Sequence, residues 1–186
     1  MSSTTLFRTL LKRGPNLKAG VFSTFIFTLL FTLVGPSVAV QAAETTLTKA
    51  QDLANDAREA QRLGVPILIL YSLPGCPYCE AIRRSHLTPM NEASNKAQAP
   101  RRAIIRQVDL KSSLGLIDFE GQRVSHASFA QAQNIKFAPV VAFYGKDAKP
   151  LTDPLIGTML PDFYGQYLDD ALTTATFKLG TSNTSK

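Results

Sequence analysis

The chain has 186 residues, 45% hydrophobic and 18% charged, with 20 basic and 14 acidic residues and a net charge of +6. That length suits one ordinary domain with a proper core, and it holds no internal repeat and no low-complexity run apart from the ends. Four of the basic residues fall within positions 1–42, where no acid stands. The remainder carries 16 basic against 14 acidic residues, a net +2, so composition gives little support for a nucleic-acid partner.

The first segment has the pattern of a targeting signal. Arg8, Lys12, Arg13 and Lys18 precede an almost unbroken apolar run from Val21 to Val34. Gly35-Pro36 ends the run, and Val40-Gln41-Ala42 occupies the positions a signal peptidase reads. Residues 1–42 therefore read as a signal peptide cleaved after Ala42. With Ser37 to Val40 counted in, the run approaches the ~20 residues a membrane span needs, so an uncleaved N-terminal anchor is the alternative. Either way the rest of the chain is expected outside the cytoplasm, in the periplasm. Residues 43–177 form the domain, and residues 178–186 are a short, polar, disordered tail.

The domain opens with Thr48 and Gln51 as a capping box, followed by a helical face through Ala50, Leu53, Ala54, Ala57, Ala60 and Leu63 that stops at Gly64. Pro66 leads into Ile67 to Tyr71, an apolar run suited to a strand buried on both faces. The run stops at Pro74-Gly75. The only two cysteines, Cys76 and Cys79, follow at the start of a helical pattern.

A thiolate at Cys76 is favoured there, because the first N–H groups of a helix lack intrahelical partners and carry the positive end of its dipole. Cys79, about one turn further on and on the same side, can attack a mixed disulfide formed at Cys76. Pro77, with no N–H to leave unsatisfied, suits the first turn between them. A structural staple is disfavoured because so short a ring removes little chain entropy. A zinc half-site needs two more ligands, and His86 and His126 lack finger spacing. Buried, inert cysteines fit poorly beside a Pro-Gly turn.

Beyond the thiols the helix runs from Glu80 to Leu87, with Ala81, Ile82 and Leu87 as packing residues, Arg83 and Arg84 turned outward without a role, and Thr88-Pro89 ending or kinking it. His86 reads as a surface or capping histidine, and Glu80 as pointing to solvent. Ala103 to Val108 is the next strand, with Asp109 at its polar end. Residues 111–124 form a loop whose Leu114, Leu116, Ile117 and Phe119 either border the site or cover the sheet. Ser125 or Ser128 caps a short helix through Gln133, and Asn134 is a left-handed stop.

Pro139 opens an apolar strand, so it belongs at an edge, a strand start or a cis turn. Val140 to Tyr144, the turn Gly145-Lys146-Asp147 and Leu155 to Met159 form an antiparallel hairpin. Pro161-Asp162 opens a terminal helix with Phe163, Tyr167, Leu168, Ala171 and Leu172 on its core face.

The run from Ile67 to Cys79, with Phe137-Ala138-Pro139-Val140-Val141-Ala142-Phe143 much later, resembles the thioredoxin superfamily. That resemblance implies an α/β thioredoxin-like fold, a central mixed sheet flanked by helices with the cysteine pair at the N-terminus of the active-site helix. It makes Pro139 a cis-proline facing the cysteines, lets the Ala138 backbone pair with an extended substrate, and adds Pro77 and Tyr78 to the substrate surface. Cys-Pro-Tyr-Cys by itself is similar to the glutaredoxin tetrapeptide. The tail, Leu155-Ile156-Gly157 and Asp162 to Leu168, is similar to exported thioredoxin-related proteins of bacterial sulfur oxidation.

Two positions depart from the family. Gly75 stands where thioredoxins carry tryptophan, and Leu70 stands where they bury an acid beneath the thiols, which puts a thioredoxin-like proton relay in doubt.

The expected function is an exported thiol:disulfide oxidoreductase, reducing protein disulfides with Cys76 as nucleophile and Cys79 as resolver, and needing no cofactor or metal. A disulfide-forming oxidase or isomerase using the same pair is the alternative. From other classes, a copper-binding chaperone would use both cysteines and a histidine, and a thioredoxin-like interaction module would use neither thiol. The expected partners are proteins bearing disulfides or thiols and a membrane electron donor or acceptor, with the chain itself a monomer and no nucleic acid involved.

Overall fold

The computed structural model describes residues 46–158 and 161–184. The leader or anchor read over residues 1–42 lies outside them. The described residues belong to one compact unit, and no helix among them is long and apolar enough to cross a membrane.

Helix α1 spans Leu53–Leu63 and strand β1 Ile67–Ser72. Helix α2, Pro77–Ile82, passes through a π turn, Arg83–Leu87, into α3, Thr88–Asn95. Then come β2 (Ile104–Asp109), β3 (Gly115–Ile117), β4 (Arg123–Ser125), α4 (His126–Ala132), β5 (Val140–Tyr144), β6 (Leu155–Ile156), a 3₁₀ turn at Pro161–Phe163, and α5 (Tyr164–Thr184).

The main sheet has the order β2-β1-β5-β6, with β1 parallel to β2 and antiparallel to β5, and β5 antiparallel to β6. Alternation along β1 divides the core into two layers. Ile67, Ile69 and Tyr71 pack with Leu53, Ala57 and Ala60 of α1 and Phe129 of α4. Leu68 and Leu70 pack with Ile82, Leu87, and Tyr164, Leu168 and Leu172 of α5. All six β1 residues are buried, as the unbroken apolar run requires of a strand covered on both faces.

Several expectations change. Thr48 does not cap α1: Asp52 does, its carboxylate accepting from Asn55 N–H at 2.7 Å. Thr48 and Ala50 instead flank β2, with Gln107 N–H donating to Thr48 carbonyl and Ala50 N–H to Gln107 carbonyl, each at 2.9 Å. Thr88-Pro89 does not end the helix. The π turn before it, in which Thr88 N–H reaches back to Arg83 carbonyl, widens the backbone where the proline ring would otherwise meet a carbonyl.

Residues 111–124 hold the β3–β4 hairpin rather than a bare loop. Leu116 is buried and Phe119 packs on Phe129 and Tyr144, so these two side chains cover the sheet, while Leu114 is exposed.

The core stripe of α5 is Tyr164, Leu168, Leu172 and Ala175, while Phe163 and Tyr167 are 54% and 43% exposed. Leu168 and Leu172 fall on the core face as expected, and Ala171 packs against it. Helix α5 does not stop at Lys178: it runs to Thr184, and Leu179 lies against Gly145 at the far end of β5, which anchors residues expected to be disordered.

Candidate active site

Ser72 ends β1, and Gly75 takes a left-handed φ of 69° that places the next residue at the mouth of α2. Cys76 is the N-cap of α2, extended at φ −85° and ψ 106°, with its Sγ accepting from Cys79 N–H at 3.1 Å. Its own N–H donates to Leu73 carbonyl at 3.4 Å, which closes the turn. Cys76 and Cys79 are joined as a disulfide, with Cα atoms 5.3 Å apart. The two are unequal: Cys79 is fully buried and Cys76 half-buried.

The strand register brings Pro139 to the same end of the sheet. Tyr71 pairs with Val140, so Pro139 stands beyond it, at the level where β1 gives way to the cysteine turn. The Ala138–Pro139 peptide is cis. Pro139 is buried and its carbonyl accepts from Gly157 N–H at 2.8 Å. Ala138 is half-buried and precedes the β5 ladder, Pro77 is exposed, and Tyr78 and Phe137 are 63% and 53% exposed. A groove of about 580 Å³ opens beside the turn, lined by Leu73, Leu110 and Ile135 with Lys111 and Lys136 at its rim.

The histidines stand elsewhere. His126 is fully buried. Its Nδ1 accepts from Asp109 N–H at 3.1 Å, so Nε2 carries the proton and donates to Ala50 carbonyl at 2.9 Å. Both ring nitrogens are engaged. His86 lies against Tyr164, the rings tilted with centroids 5.0 Å apart, and burial lowers it from its ordinary value of 6.5, with Asp169 pulling the other way. Among the described residues no group of three or more His, Cys, Asp or Glu gathers as a metal site.

The side chain that sequence reasoning misplaced is Arg83. It turns inward, donating to Gln107 Oε1 at 3.1 Å and Ser72 Oγ at 3.2 Å, and it pairs with Glu80. Glu80 is accordingly held between Arg83 and Arg84 rather than free in solvent. The available signal was spacing: Arg83 stands three residues after Glu80 and four after Cys79, which are same-face intervals on a helix.

In sequence, the model of the thioredoxin-like domain matches residues 53–172, more than half of the chain. The chain belongs to the thioredoxin-like family. Its sheet and helices form that family's fold, and its Cys-x-x-Cys pair, closed as a disulfide at a helix start, is the equipment of a thiol–disulfide oxidoreductase. No curated protein matches the chain in sequence.

Among solved structures, a thioredoxin-fold protein from Helicobacter pylori is 15% identical, covering 78% of this chain and 92% of its own at a TM-score of 0.41. The periplasmic thioredoxin SoxS from Paracoccus pantotrophus is 16% identical, covering 59% and 98% at 0.38. The C-terminal domain of DsbD from Neisseria meningitidis is 14% identical, covering 67% and 99% at 0.43.

Proposed function

We propose that this thioredoxin-like chain is an exported reductase of protein disulfides. The observation that carries the reading is the inequality of the two cysteines. Cys76 is reachable and caps a helix, while Cys79 is buried one turn behind it.

In the reduced protein the Cys76 thiolate attacks one sulfur of a substrate disulfide. The substrate S–S bond breaks, a mixed disulfide forms at Cys76, and one substrate thiolate leaves and takes a proton. Cys79, deprotonated in turn, attacks Cys76 Sγ. The second substrate thiol is released and the Cys76–Cys79 disulfide remains, so two electrons and two protons have passed to the substrate. A membrane electron donor resets the pair. Pro139 and the Ala138 backbone, with Pro77 and Tyr78 opposite, form the surface on which an extended substrate segment lies.

Export is supported by the n-region, h-region and cleavage pattern of residues 1–42. A pair working outside the cytoplasm needs such a donor, because that compartment otherwise leaves it oxidised.

Trapping tests the assignment. Cys79→Ser should accumulate a mixed disulfide with substrate protein on Cys76, visible on a non-reducing gel, and Cys76→Ser should not. The reduction potential then decides direction: a value near −270 mV, about that of thioredoxin, fits a reductase, whereas one near −120 mV, about that of a strong oxidant, reverses the assignment. A pair showing no reversible exchange at all would defeat the proposal.

A further inference from the structure

Beneath the helix bearing the cysteines lies a polar cluster that the exchange chemistry above does not use. Ser72, Gln107 and Asp109 lie on the α2 face of β1 and β2 and are at most 8% exposed. Arg83 reaches into this cluster, bonded to Ser72, Gln107 and Glu80 as described above. Gln107 Nε2 continues the chain of bonds to Asp109 Oδ1 at 2.7 Å, and Asp109 Oδ2 is 3.1 Å from Lys49 Nζ. The charged and titratable groups around Arg83 are therefore Glu80 and Arg84 on its own helix, Asp109 on β2, Lys49 beyond it, and His126 of α4 behind the Asp109 backbone.

Helix spacing ties this cluster to the thiols. Glu80 N–H donates to Cys76 carbonyl at 3.1 Å, and Arg83 N–H donates to Cys79 carbonyl. Glu80 thus stands one turn from Cys76 and Arg83 one turn from Cys79, Cβ separations of about 5–6 Å. A carboxylate one turn from the nucleophile opposes its thiolate. A guanidinium bound to that carboxylate cancels the opposition and adds an attraction at the resolving thiol. The strand position where the family buries an acid is Leu70, fully buried in an apolar layer with Ile105 and Val141.

We infer that Arg83 is a positioning residue for the thiol pair: fixed by Ser72 and Gln107, it neutralises Glu80 beside Cys76 and holds a cation one turn from Cys79, so that this ion pair, not an acid at position 70, sets how readily the thiols ionise. The inference rests on the thiol–disulfide reading of the site.

The test is the pH profile of iodoacetamide alkylation of Cys76 in the reduced full chain, with the modified residue assigned by mass spectrometry. Arg83→Met should move the midpoint up by about half to one pH unit, slowing alkylation below the midpoint about three- to tenfold. Arg83→Lys, which keeps the charge without the fork, should recover part of the shift, and Glu80→Gln should move the midpoint down. An unmoved midpoint in folded Arg83→Met overturns the inference. So does an unmoved or raised midpoint in Glu80→Gln, which keeps the test decisive where Arg83→Met fails to fold. Alkylation needs no turnover, so absent exchange with substrate disulfides would defeat the proposed function and leave this result interpretable.

Discussion

Arg106→Met should be among the more costly single substitutions away from the thiols. Arg106 Nη2 and Nε donate to Asp56 Oδ1 and Oδ2 at 2.6 and 2.8 Å, tying β2 to α1 on the face opposite the cysteine helix. The Asp56 side chain is only 6% exposed and that of Arg106 21%. Removing the guanidinium strands a buried carboxylate, a loss of about 3–5 kcal/mol at neutral pH. Asp56→Asn leaves behind the more exposed partner, which also donates to Ile105 carbonyl at 2.9 Å, and should cost less, about 1–3 kcal/mol.

The pH dependence has a definite sign. Burial holds Asp56 above its ordinary 3.8, outweighing the lowering by Arg106. Without Arg106 the folded-state value rises further. A carboxyl that holds its proton more tightly when folded loses stability as pH rises from the unfolded value through the folded one. The Arg106→Met deficit should therefore be largest at neutral pH and shrink on acidification. Urea unfolding of wild type, both single variants and the double Asp56→Leu/Arg106→Met would measure it. A deficit below about 1 kcal/mol, the range of exposed ion pairs, or one that grows on acidification, would refute the reasoning.

Four further outcomes are expected. Tyr71 and Tyr144 share a buried hydroxyl contact of 2.8 Å, so Tyr144→Phe should cost about 1–3 kcal/mol in urea unfolding and Tyr71→Phe/Tyr144→Phe should recover much of it. Burial raises the Tyr144 hydroxyl from 10.0 to about 12. The folded state thus keeps a proton that the unfolded chain releases, and wild-type stability should be lost as pH rises above 10 toward that value. Leu70→Asp should destabilise by more than about 3 kcal/mol at neutral pH, combining lost apolar burial with a buried charge, and acidification should restore part of this in the same assay. His126→Ala orphans the Asp109 N–H and the Ala50 carbonyl, and should lower stability by about 2–4 kcal/mol and speed hydrogen exchange at Asp109.

What the sequence made legible was what local chemistry dictates. The Ile67 to Tyr71 run, bounded by Pro66 and Pro74-Gly75, identified a buried strand leading to the cysteine turn. Ser125 or Ser128 as a cap and Asn134 as a left-handed stop bounded α4; in the structure the cap is Ser125, whose Oγ accepts from Ser128 N–H at 3.0 Å, and Asn134 has a φ of 59°. What stayed hidden depends on distant partners. Thr48 has the look of a cap, but its carbonyl is claimed by Gln107, nearly sixty positions away, and no local pattern records that. The strands β3 and β4 are three residues each, too short for alternation to show. Arg83 and Arg84 look alike in sequence. Only the first meets a polar gap at the ends of β1 and β2, and that gap exists because Ser72 and Gln107 fall on the same face of adjacent strands.

Two of the arginine–carboxylate pairs among the described residues, Asp56–Arg106 and Glu80–Arg83, lie on opposite faces of the same sheet, and their positions give them different work. Asp56–Arg106 lies under α1, on the face away from the cysteine helix, so its energy enters only the folding equilibrium. Glu80–Arg83 lies within one turn of both cysteines, where any difference in how it interacts with thiolates and with the disulfide enters the redox equilibrium as well. Stabilising thiolates favours the reduced protein and makes the pair more oxidising, and opposing them does the reverse. Residues 80 and 83 sit on the edge of the cysteine helix rather than in the apolar layer beneath it. Their charges can therefore shift the balance between reductase and oxidase while leaving Leu68, Leu70, Ile82 and the packing that holds the site unchanged.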